Sequence, residues 1–331
     1  VGWLKMKNKV MITGVAGLIG SHLAEKLIEL GFEVHGLDTV NLEKNMNLVN
    51  LKNLDSFFYY EKDIRKDKDL TDFFQPDATV IYHLASIVGV NRYMEDPLSL
   101  IDISVIGTRK LIGLCKKNNV RMLYASTSEV YGRNSEIPWS ENFDRVLGST
   151  NVDRWSYSTS KALCEHMLFG IYHQSGWPMS IVRFFNVYGP RQNPIYVVSK
   201  SIYRVLNKMS PEIYDGGEQT RCFTYIEDAI EGLILSATSN EAIGEVINIG
   251  NPVENTMKEV ILAVLDATDS KLIPIAVRTK ERYGKVYEDI PRRVPDVSKA
   301  KSLLGWVPKT SMRDGVKKTV LWAKNNPWYT Q

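Results

Sequence analysis

Apolar and polar positions alternate along the first half of the chain in two rhythms, which predict strands and helices in turn. Short apolar runs predict strands at residues 9–13, 32–37, 57–60, 80–84, 121–125 and 179–185. Apolar residues spaced three or four apart predict helices at residues 17–30, 97–117 and 153–174. Strands separated by helices form βαβ units, so we expect an α/β fold built on a doubly wound parallel (Rossmann) sheet.

The predicted elements become shorter after Tyr188-Gly189-Pro190. Helices are predicted at residues 229–236, 257–267, 297–304 and 312–325, and a strand at residues 245–249. We therefore expect a Rossmann domain over residues 1–189, which the chain rejoins at about 224–250, and a smaller lobe over residues 190–331. A cleft between the two is the expected binding site.

Composition narrows the class of protein. Of 331 residues, 44% are hydrophobic and 24% charged, which is typical of a globular chain. The net charge of +3 favours neither nucleic acid nor an anionic membrane as a partner. Three cysteines without a CxxC pair predict no disulfide framework and no metal site, and the reducing cytoplasm is the expected compartment. The first apolar run leads directly into glycines, which predicts a strand and not a signal peptide.

A glycine-rich turn lies between the first predicted strand and the first predicted helix. Such a turn needs glycine for tightness, for close approach of a pyrophosphate and for packing of the helix on the strand. Free amides at the helix start then bind phosphate. A tight turn without a ligand is the alternative. The candidate dinucleotide-binding residues here are Gly14, Gly17, Leu18, Ile19 and Gly20.

Further candidate cofactor residues follow the ends of later strands. Asp38 ends the second strand, where a carboxylate bonds the adenosine ribose and repels a 2′-phosphate, so NAD is favoured over NADP; a turn cap is the alternative. Asp63 and Ile64 follow the third strand and flank the adenine, unless Asp63 is an exposed loop acid. His83 is expected to be a packed, hydrogen-bonded residue. The residues after it face the cofactor: Leu84, Ala85 and Ser86.

A candidate catalytic group follows the fifth strand and continues on a helix. Thr127, Ser128 and Glu129 come directly after that strand, and their alternative role is to cap the next turn. Tyr157 and Lys161 are four residues apart and share one helix face. The lysine charge is expected to lower the tyrosine pKa, which makes Tyr157 a base for a sugar hydroxyl and brings both residues beside the cofactor.

These motifs, in this order, resemble the extended short-chain dehydrogenase/reductase family of NAD-dependent nucleotide-sugar epimerases, dehydratases and decarboxylases. The glycines match its GxxGxxG, Tyr157 and Lys161 its YxxxK, and Thr127 its Ser/Thr partner. Residues 183–191, 215–224 and 293–308 resemble its later motifs. The resemblance implies that the smaller lobe binds a nucleotide sugar, with Arg221 and Arg293 at the diphosphate. The implied substrate-binding residues are Asn186, Arg191, Arg221 and Arg293.

The resemblance also implies a shared first step, oxidation of the sugar at C4, and several fates for the 4-keto product. The segment Thr-Ser-Glu-Val-Tyr-Gly resembles UDP-glucuronate decarboxylases, and Ser128 stands where glucose-type dehydratases have aspartate. We therefore expect a UDP-glucuronate decarboxylase, with a UDP-glucose or UDP-glucuronate 4-epimerase second and a 4,6-dehydratase third. A non-catalytic NAD-sensing or scaffold protein is the alternative outside enzymes. It is disfavoured because Thr127, Tyr157 and Lys161 are all present.

Two expectations remain open at this point. The residue that meets a sugar carboxylate is undecided, because Tyr196 stands near the place where the decarboxylases carry an arginine. The candidates are Arg154, Lys285, Arg292 and Arg293. The family commonly dimerises through two long helices, so we expect a homodimer formed by residues 97–117 and 153–174.

Overall fold

A computed structural model describes residues 8–89, 96–278, 290 and 292–331. The strands are β1 (Lys9–Thr13), β2 (Glu33–Asp38), β3 (Phe57–Glu61), β4 (Val80–His83), β5 (Arg121–Thr127), β6 (Met179–Phe184), β7 (Val187–Tyr188), β8 (Glu212–Tyr214), β9 (Thr220–Cys222), β10 (Thr224–Tyr225), β11 (Val246–Ile249), β12 (Glu254–Thr256) and β13 (Ile275–Val277). The helices are α1 (Leu18–Glu29), α2 (Asp67–Phe73), α3 (Pro97–Ile101), α4 (Thr108–Asn118), α5 (Arg154–Ser175), α6 (Val197–Leu206), α7 (Ile226–Thr238), α8 (Met257–Ala267), α9 (Ser298–Leu304) and α10 (Met312–Asn325).

Seven strands form one sheet in the order β11-β6-β5-β4-β1-β2-β3, and every neighbouring pair is parallel. All residues of β4, β6 and β11 are buried, as expected for parallel strands covered on both faces. The strand order reverses beside β1, which opens a crevice at the carboxyl ends of β1 and β4. The predicted doubly wound parallel sheet is confirmed.

Two apolar cores cover the two faces of this sheet, because successive strand residues point to opposite sides. Val10 and Ile12 join the core that holds α1 and α7, whereas Met11 joins the core that holds α4 and α5. β11 brings the chain back to the edge of the sheet beside β6. The remaining strands form three small pairs, β7 with β10, β8 with β13 and β9 with β12.

The helices differ from the prediction in three places. The predicted helix at residues 97–117 is interrupted by a π-helical segment, Asp102–Gly107, between α3 and α4. The Ile64 side chain packs against this segment, where a Cβ on Gly107 would lie 2.5 Å from Ile64 Cδ1. Neither α2 nor α6 was predicted; α2 buries only Leu70 and Phe73, so its apolar pattern is weak. In the described part of the chain, no helix combines the length and apolarity that a membrane crossing requires.

Candidate active site

The glycine-rich turn sits between β1 and α1 and packs closely on the end of β4. Gly14 has φ +74°, and a Cβ there would lie 2.8 Å from the amide nitrogen of Ala85. A Cβ on Gly20 would overlap the carbonyl oxygen of Gly14. Gly17 differs, because its Cβ would meet only the Gly14 oxygen, at 3.3 Å. Two glycines are thus required by packing, while the third faces open space at the start of α1, where a phosphate would approach the free amides.

Asp38 lies at the carboxyl end of β2 and points back toward the glycine-rich turn. Its Oδ2 accepts a hydrogen bond from the Ala16 amide at 3.0 Å, and its Oδ1 accepts one from the Thr39 amide at 2.8 Å. Burial raises the pKa of Asp38, and these backbone bonds oppose the rise. The carboxylate therefore caps the turn and is oriented by it. The Val40 amide also hydrogen-bonds this carboxylate, whose two oxygens offer about four acceptor sites in all, so one remains for a ribose hydroxyl and the turn and Asp38 fit a dinucleotide.

The residues after β3 are held by contacts within the protein. Asp63 accepts hydrogen bonds from the Arg65 guanidinium, including one from Nη2 at 2.7 Å, and these bonds lower the pKa of Asp63. Ile64 is buried against Gly107. Their predicted position beside the adenine stays a prediction.

His83 ends β4 and is a packing residue, as expected. Its Nδ1 is 2.7 Å from the Thr13 hydroxyl and its Nε2 is 2.8 Å from the Thr108 hydroxyl. Burial lowers the pKa of His83 to about 3, so the ring is neutral. The following amides of Leu84 and Ala85 donate to the Thr13 carbonyl and hydroxyl, at 3.1 and 3.3 Å. The end of β4 is therefore fixed to the glycine-rich turn of β1.

Tyr157 is placed where three elements converge. It lies in the first turn of α5, it packs on Leu100 of α3, and the hydroxyls of Thr127 and Ser86 hydrogen-bond its phenol. Thr127 ends β5 and Ser86 follows β4, so the phenol faces the crevice at the carboxyl edge of the sheet. Tyr196, at the start of α6, also lies close enough to influence Tyr157 electrostatically.

The expected lowering of the Tyr157 pKa is wrong for this structure. Burial raises the pKa of Tyr157, the charge of Glu129 adds to the rise, and the bonds from Thr127 and Ser86 oppose it. Lys161 shares the predicted helix face, but its Nζ donates to the Ala125 carbonyl at 2.8 Å. Burial also lowers the pKa of Lys161 itself, to about 8. The helix spacing was right, whereas the direction of the lysine amine depends on the strand beneath it.

Glu129 is held between two buried arginines. Arg154 Nη2 lies 3.2 Å from both carboxylate oxygens, and Arg293 Nη1 contacts Oε1. The side chains of Glu129, Arg154 and Arg293 are 19%, 5% and 8% exposed. Burial alone would raise the pKa of Glu129, but the charges of Arg293 and Arg154 outweigh it and hold that pKa below its usual value. Glu129 is thus a firmly ionised carboxylate.

The turn that carries Glu129 is capped by Thr127. The Glu129 amide donates to Thr127 Oγ1 at 3.2 Å, so the threonine caps the 3₁₀ turn Ser128–Tyr131 while it also bonds Tyr157. Ser128 is buried in this turn. Thr127 can therefore cap this turn and also contact Tyr157, whereas the Glu129 carboxylate binds the two arginines.

The residues implied for substrate binding fall into three places. Arg293 lies with Glu129. Asn186 Nδ2 donates to the Cys222 carbonyl at 3.3 Å, and Arg221 on β9 influences the same cysteine. Arg191 is apart from them, since its Nη2 binds both carboxylate oxygens of Glu25 on α1, at 2.6 and 2.7 Å. Their binding roles remain predictions.

A third candidate for a sugar carboxylate, Arg292, lies apart from the Glu129 cluster. Arg292 forms an ion pair with Glu254 and is largely exposed. Lys285 lies outside the described residues. Of the three candidates that the structure describes, Arg154 and Arg293 meet beside Tyr157, because Arg154 precedes the tyrosine by one helical turn. Both arginines were candidates from the sequence, but the sequence contained no signal that they bind the same carboxylate, Glu129.

Comparison with known proteins gives consistent matches over almost the whole chain. The family described as GDP-mannose 4,6 dehydratase matches residues 11–319. The UDP-N-acetyl-alpha-D-glucosaminuronate decarboxylase of Bacillus cytotoxicus is 36% identical over 329 residues, covering 96% of this chain and 98% of that protein. UDP-glucuronic acid decarboxylase 1 of Arabidopsis thaliana is 35% identical, covering 97% of this chain and 71% of that protein.

Solved structures share the fold. The UDP-glucuronic acid 4-epimerase of Bacillus cereus, in complex with UDP-glucuronic acid and NAD, superposes with a TM-score of 0.82. It is 30% identical, and the alignment covers 96% of this chain and 99% of that one. The similarities thus include both decarboxylases and an epimerase of uronate sugars.

Proposed function

The chain belongs to the GDP-mannose 4,6-dehydratase family of extended short-chain dehydrogenase/reductases, and we propose that it decarboxylates UDP-glucuronate or a closely related UDP-linked uronate. Its relatives are nucleotide-sugar decarboxylases and epimerases, which supports an NAD-dependent nucleotide-sugar enzyme. The finer assignment depends on what surrounds Tyr157.

NAD is the cofactor that the glycine-rich turn and Asp38 fit. The amides at the start of α1 would bind the pyrophosphate, and Asp38 would bind the adenosine ribose. Lys161 would contact the part of the cofactor that lies beside Tyr157. When bound, NAD supplies the chemistry of accepting a hydride from the sugar C4 and returning it.

The residues of the chain supply the proton transfers and the positioning. Tyr157 would accept the proton of the sugar 4-hydroxyl, since it lies at the crevice between Thr127 and Ser86. Hydrogen bonds from both hydroxyls favour the phenolate over the phenol. Burial works against the phenolate, and we infer that a positive charge on Lys161, one turn away on the same helix face, offsets this effect.

The observation that carries the decarboxylase assignment is the clasp of Glu129 by Arg154 and Arg293. A dehydratase must remove the proton from C5, and a carboxylate with a lowered pKa that already binds two guanidiniums is a weak base. A 4-keto uronate is a β-keto acid and needs no such base. Its C5–C6 bond breaks, carbon dioxide leaves, and the electron pair forms an enolate across C4 and C5, which is then protonated at C5.

The same clasp suits a substrate carboxylate. A guanidinium has five N–H donors, so Arg154 and Arg293 can bind Glu129 and still donate to the carboxylate of a uronate. UDP-glucose offers no carboxylate to this position.

A 4-epimerase is the second candidate, supported by the likeness to the Bacillus cereus enzyme solved with UDP-glucuronic acid and NAD. An epimerase would use Tyr157 in the same way and would keep C6. The two candidates therefore differ in their products: the decarboxylase releases C6 as carbon dioxide, whereas the epimerase retains C6 and inverts C4.

The test is to incubate the purified chain and NAD with UDP-glucuronate, UDP-N-acetylglucosaminuronate and UDP-glucose, following the sugar by proton NMR and assaying carbon dioxide. We expect a UDP-pentose and one equivalent of carbon dioxide from a uronate, and no product from UDP-glucose. C4 epimers without carbon dioxide would instead establish the epimerase. Tyr157→Phe should lower the rate of either reaction by about 10²-fold or more. Tyr203→Phe, on α6, is the matched control and should retain activity.

A further inference from the structure

Behind the catalytic residues lies a buried polar network that the proposed reaction does not use directly. Its centre is an ion pair between Glu165 of α5 and Arg183 of β6, in which Arg183 Nη2 donates to Oε2 at 2.6 Å and Nε to Oε1 at 3.0 Å. Both side chains are less than a tenth exposed. Arg183 is the first residue of the R-x-x-N motif, so this arginine has a structural partner deep inside the protein.

Glu165 also binds the strand that carries the catalytic threonine. Ser126 Oγ donates to Glu165 Oε1 at 2.5 Å, and the neighbouring Ala125 carbonyl accepts from Lys161 Nζ at 2.8 Å. Tyr157, Lys161 and Glu165 are spaced by four residues, so they lie along one face of α5. This face is therefore attached to the last three residues of β5 at three successive helical turns.

The surroundings of the Lys161 amine make its charge sensitive to Glu165. Burial lowers the pKa of Lys161 to about 8, and electrostatic interactions with Cys164 and Glu165 oppose that fall. Burial raises the pKa of the Cys164 thiol, so this thiol is uncharged at neutral pH. A neutral amine would lose its electrostatic effect on the tyrosine one turn away. The titratable and charged groups around it come from α5, β4, β5 and β6: Tyr157, Cys164, Glu165, His83, Tyr124 and Arg183.

We propose that Glu165 is a positioning residue for the reaction, which holds α5 in register on β5 and places a carboxylate one helical turn from the buried Lys161 amine. The inference rests on the proposed function only for its effect on catalysis, since the charge of Lys161 can be measured without substrate. Of the described groups around the amine, His83 is neutral, and burial raises the pKa of the Cys164 thiol and of the tyrosine phenols, which leaves Glu165 as the carboxylate among them.

The first measurement is the pH titration of the Lys161 side chain by NMR in the full chain labelled with ¹³C-lysine, the resonance being identified with Lys161→Met. In the wild type we expect a midpoint near pH 8. In Glu165→Gln the midpoint should fall by about one pH unit or more, because an opposite charge is lost and Arg183 is left unbalanced. Glu165→Asp retains the charge and should restore most of the midpoint.

A matched control is Glu141→Gln, which changes another buried carboxylate of the same network. Glu141 Oε1 accepts from the Asn248 amide at 2.8 Å, and its carbonyl accepts from Arg183 Nη1 at 3.0 Å. It does not act on Lys161, so the lysine midpoint should stay at the wild-type value. An equal shift in Glu141→Gln would show a general loss of packing and would overturn the proposal.

The second measurement is the pH profile of turnover with the uronate that the wild type accepts. The alkaline limb should move to lower pH in Glu165→Gln and follow the NMR midpoint, whereas Glu165→Asp should keep the wild-type limb. If Glu165→Gln does not fold, the double variant Glu165→Gln/Arg183→Met removes both buried charges, and its Lys161 midpoint should lie below that of Arg183→Met alone. A folded variant with an unchanged Lys161 midpoint overturns the proposal. If the wild type shows no activity but the Lys161 midpoints of the wild type and the variants are as expected, only the proposed function is contradicted.

Discussion

Replacing Glu129 by glutamine preserves the shape of the side chain and removes a negative charge that binds both Arg154 and Arg293. Removing one partner of a buried ion pair costs about 3–5 kcal/mol, because the remaining charge is left uncompensated. The Glu129 side chain is 19% exposed, which allows some solvent screening, so we expect a loss of about 3 kcal/mol in the free energy of unfolding. Urea unfolding at pH 7 measures this loss, with the exposed Glu136→Gln as the matched control.

The stability difference should depend on pH with a definite sign. The folded-state pKa of Glu129 lies below the ordinary value of 4.5, so its stabilising effect is fully present above that value. As the pH falls from 4.5 through the folded-state pKa, the carboxylate is protonated and the wild type loses this advantage. The gap between wild type and Glu129→Gln should therefore be constant from pH 7 to 5.5 and narrow below pH 4.5. A gap that widens on acidification would refute the assigned charge state.

The effect on the reaction should be larger than the effect on NAD binding. Without the carboxylate the two guanidiniums lose their common anchor, so a uronate would be held less accurately and decarboxylation should fall by about 10²-fold, or 2.7 kcal/mol of activation free energy. Carbon dioxide release from UDP-glucuronate measures this, and NAD titration checks the cofactor site. If the wild type only interconverts C4 epimers and Glu129→Gln does so equally well, the decarboxylase proposal fails.

Three further predictions concern the packing of the glycine-rich turn, the choice of cofactor and the oligomeric state. Gly20→Ala should displace α1 and weaken NAD binding, because its Cβ would overlap the Gly14 carbonyl; Gly113→Ala, with open space around it, should instead stabilise α4 by up to about 1 kcal/mol in thermal unfolding. Asp38→Asn keeps an acceptor for the Ala16 amide but loses the charge that repels a 2′-phosphate. The difference in binding free energy between NAD and NADP, measured by calorimetry, should therefore decrease by roughly 2 kcal/mol. An unchanged difference would contradict the assigned ribose contact. We also expect a homodimer through α3, α4 and α5, where apolar side chains such as Leu163 are 46% exposed; a monomer by light scattering at micromolar concentration would exclude it.

The position of the site at the carboxyl ends of β1, β4 and β5 was predictable because the topology of a parallel sheet follows from the alternation of strands and helices. The placement of Tyr157 and Lys161 on one helix face followed from their spacing. Both inferences depend on local patterns alone, which a single sequence contains. Short helices were less accessible: α2 has two buried apolar residues, too few to define a period.

What the sequence did not contain is the direction of the long charged side chains. The sequence did not show that Arg191, whose role at the substrate stays a prediction, binds Glu25 on α1. It also did not show that the Lys161 amine, which was expected to lower the pKa of Tyr157, donates to the Ala125 carbonyl. Each of these side chains has several rotatable bonds, so its end point is set by whichever partner the tertiary fold brings within reach. Residues separated by 166 positions, such as Glu25 and Arg191, share no sequence signal of their pairing.

The arrangement separates the step that the family shares from the step that distinguishes its members. Tyr157, Thr127 and Lys161 belong to β5 and α5, which the buried Glu165–Arg183 pair fixes to the central sheet. The clasp on Glu129 instead brings Arg293 from the C-terminal part of the chain to the end of β5. If this division is functional, substitutions in the clasp should change the fate of the 4-keto sugar and leave its formation intact. Substitutions in the α5–β5 network should slow every reaction alike. Comparing NADH formation with carbon dioxide release in Arg154→Met and Glu165→Gln separates the two: the first should retain NADH formation and lose carbon dioxide, and the second should lose both in proportion.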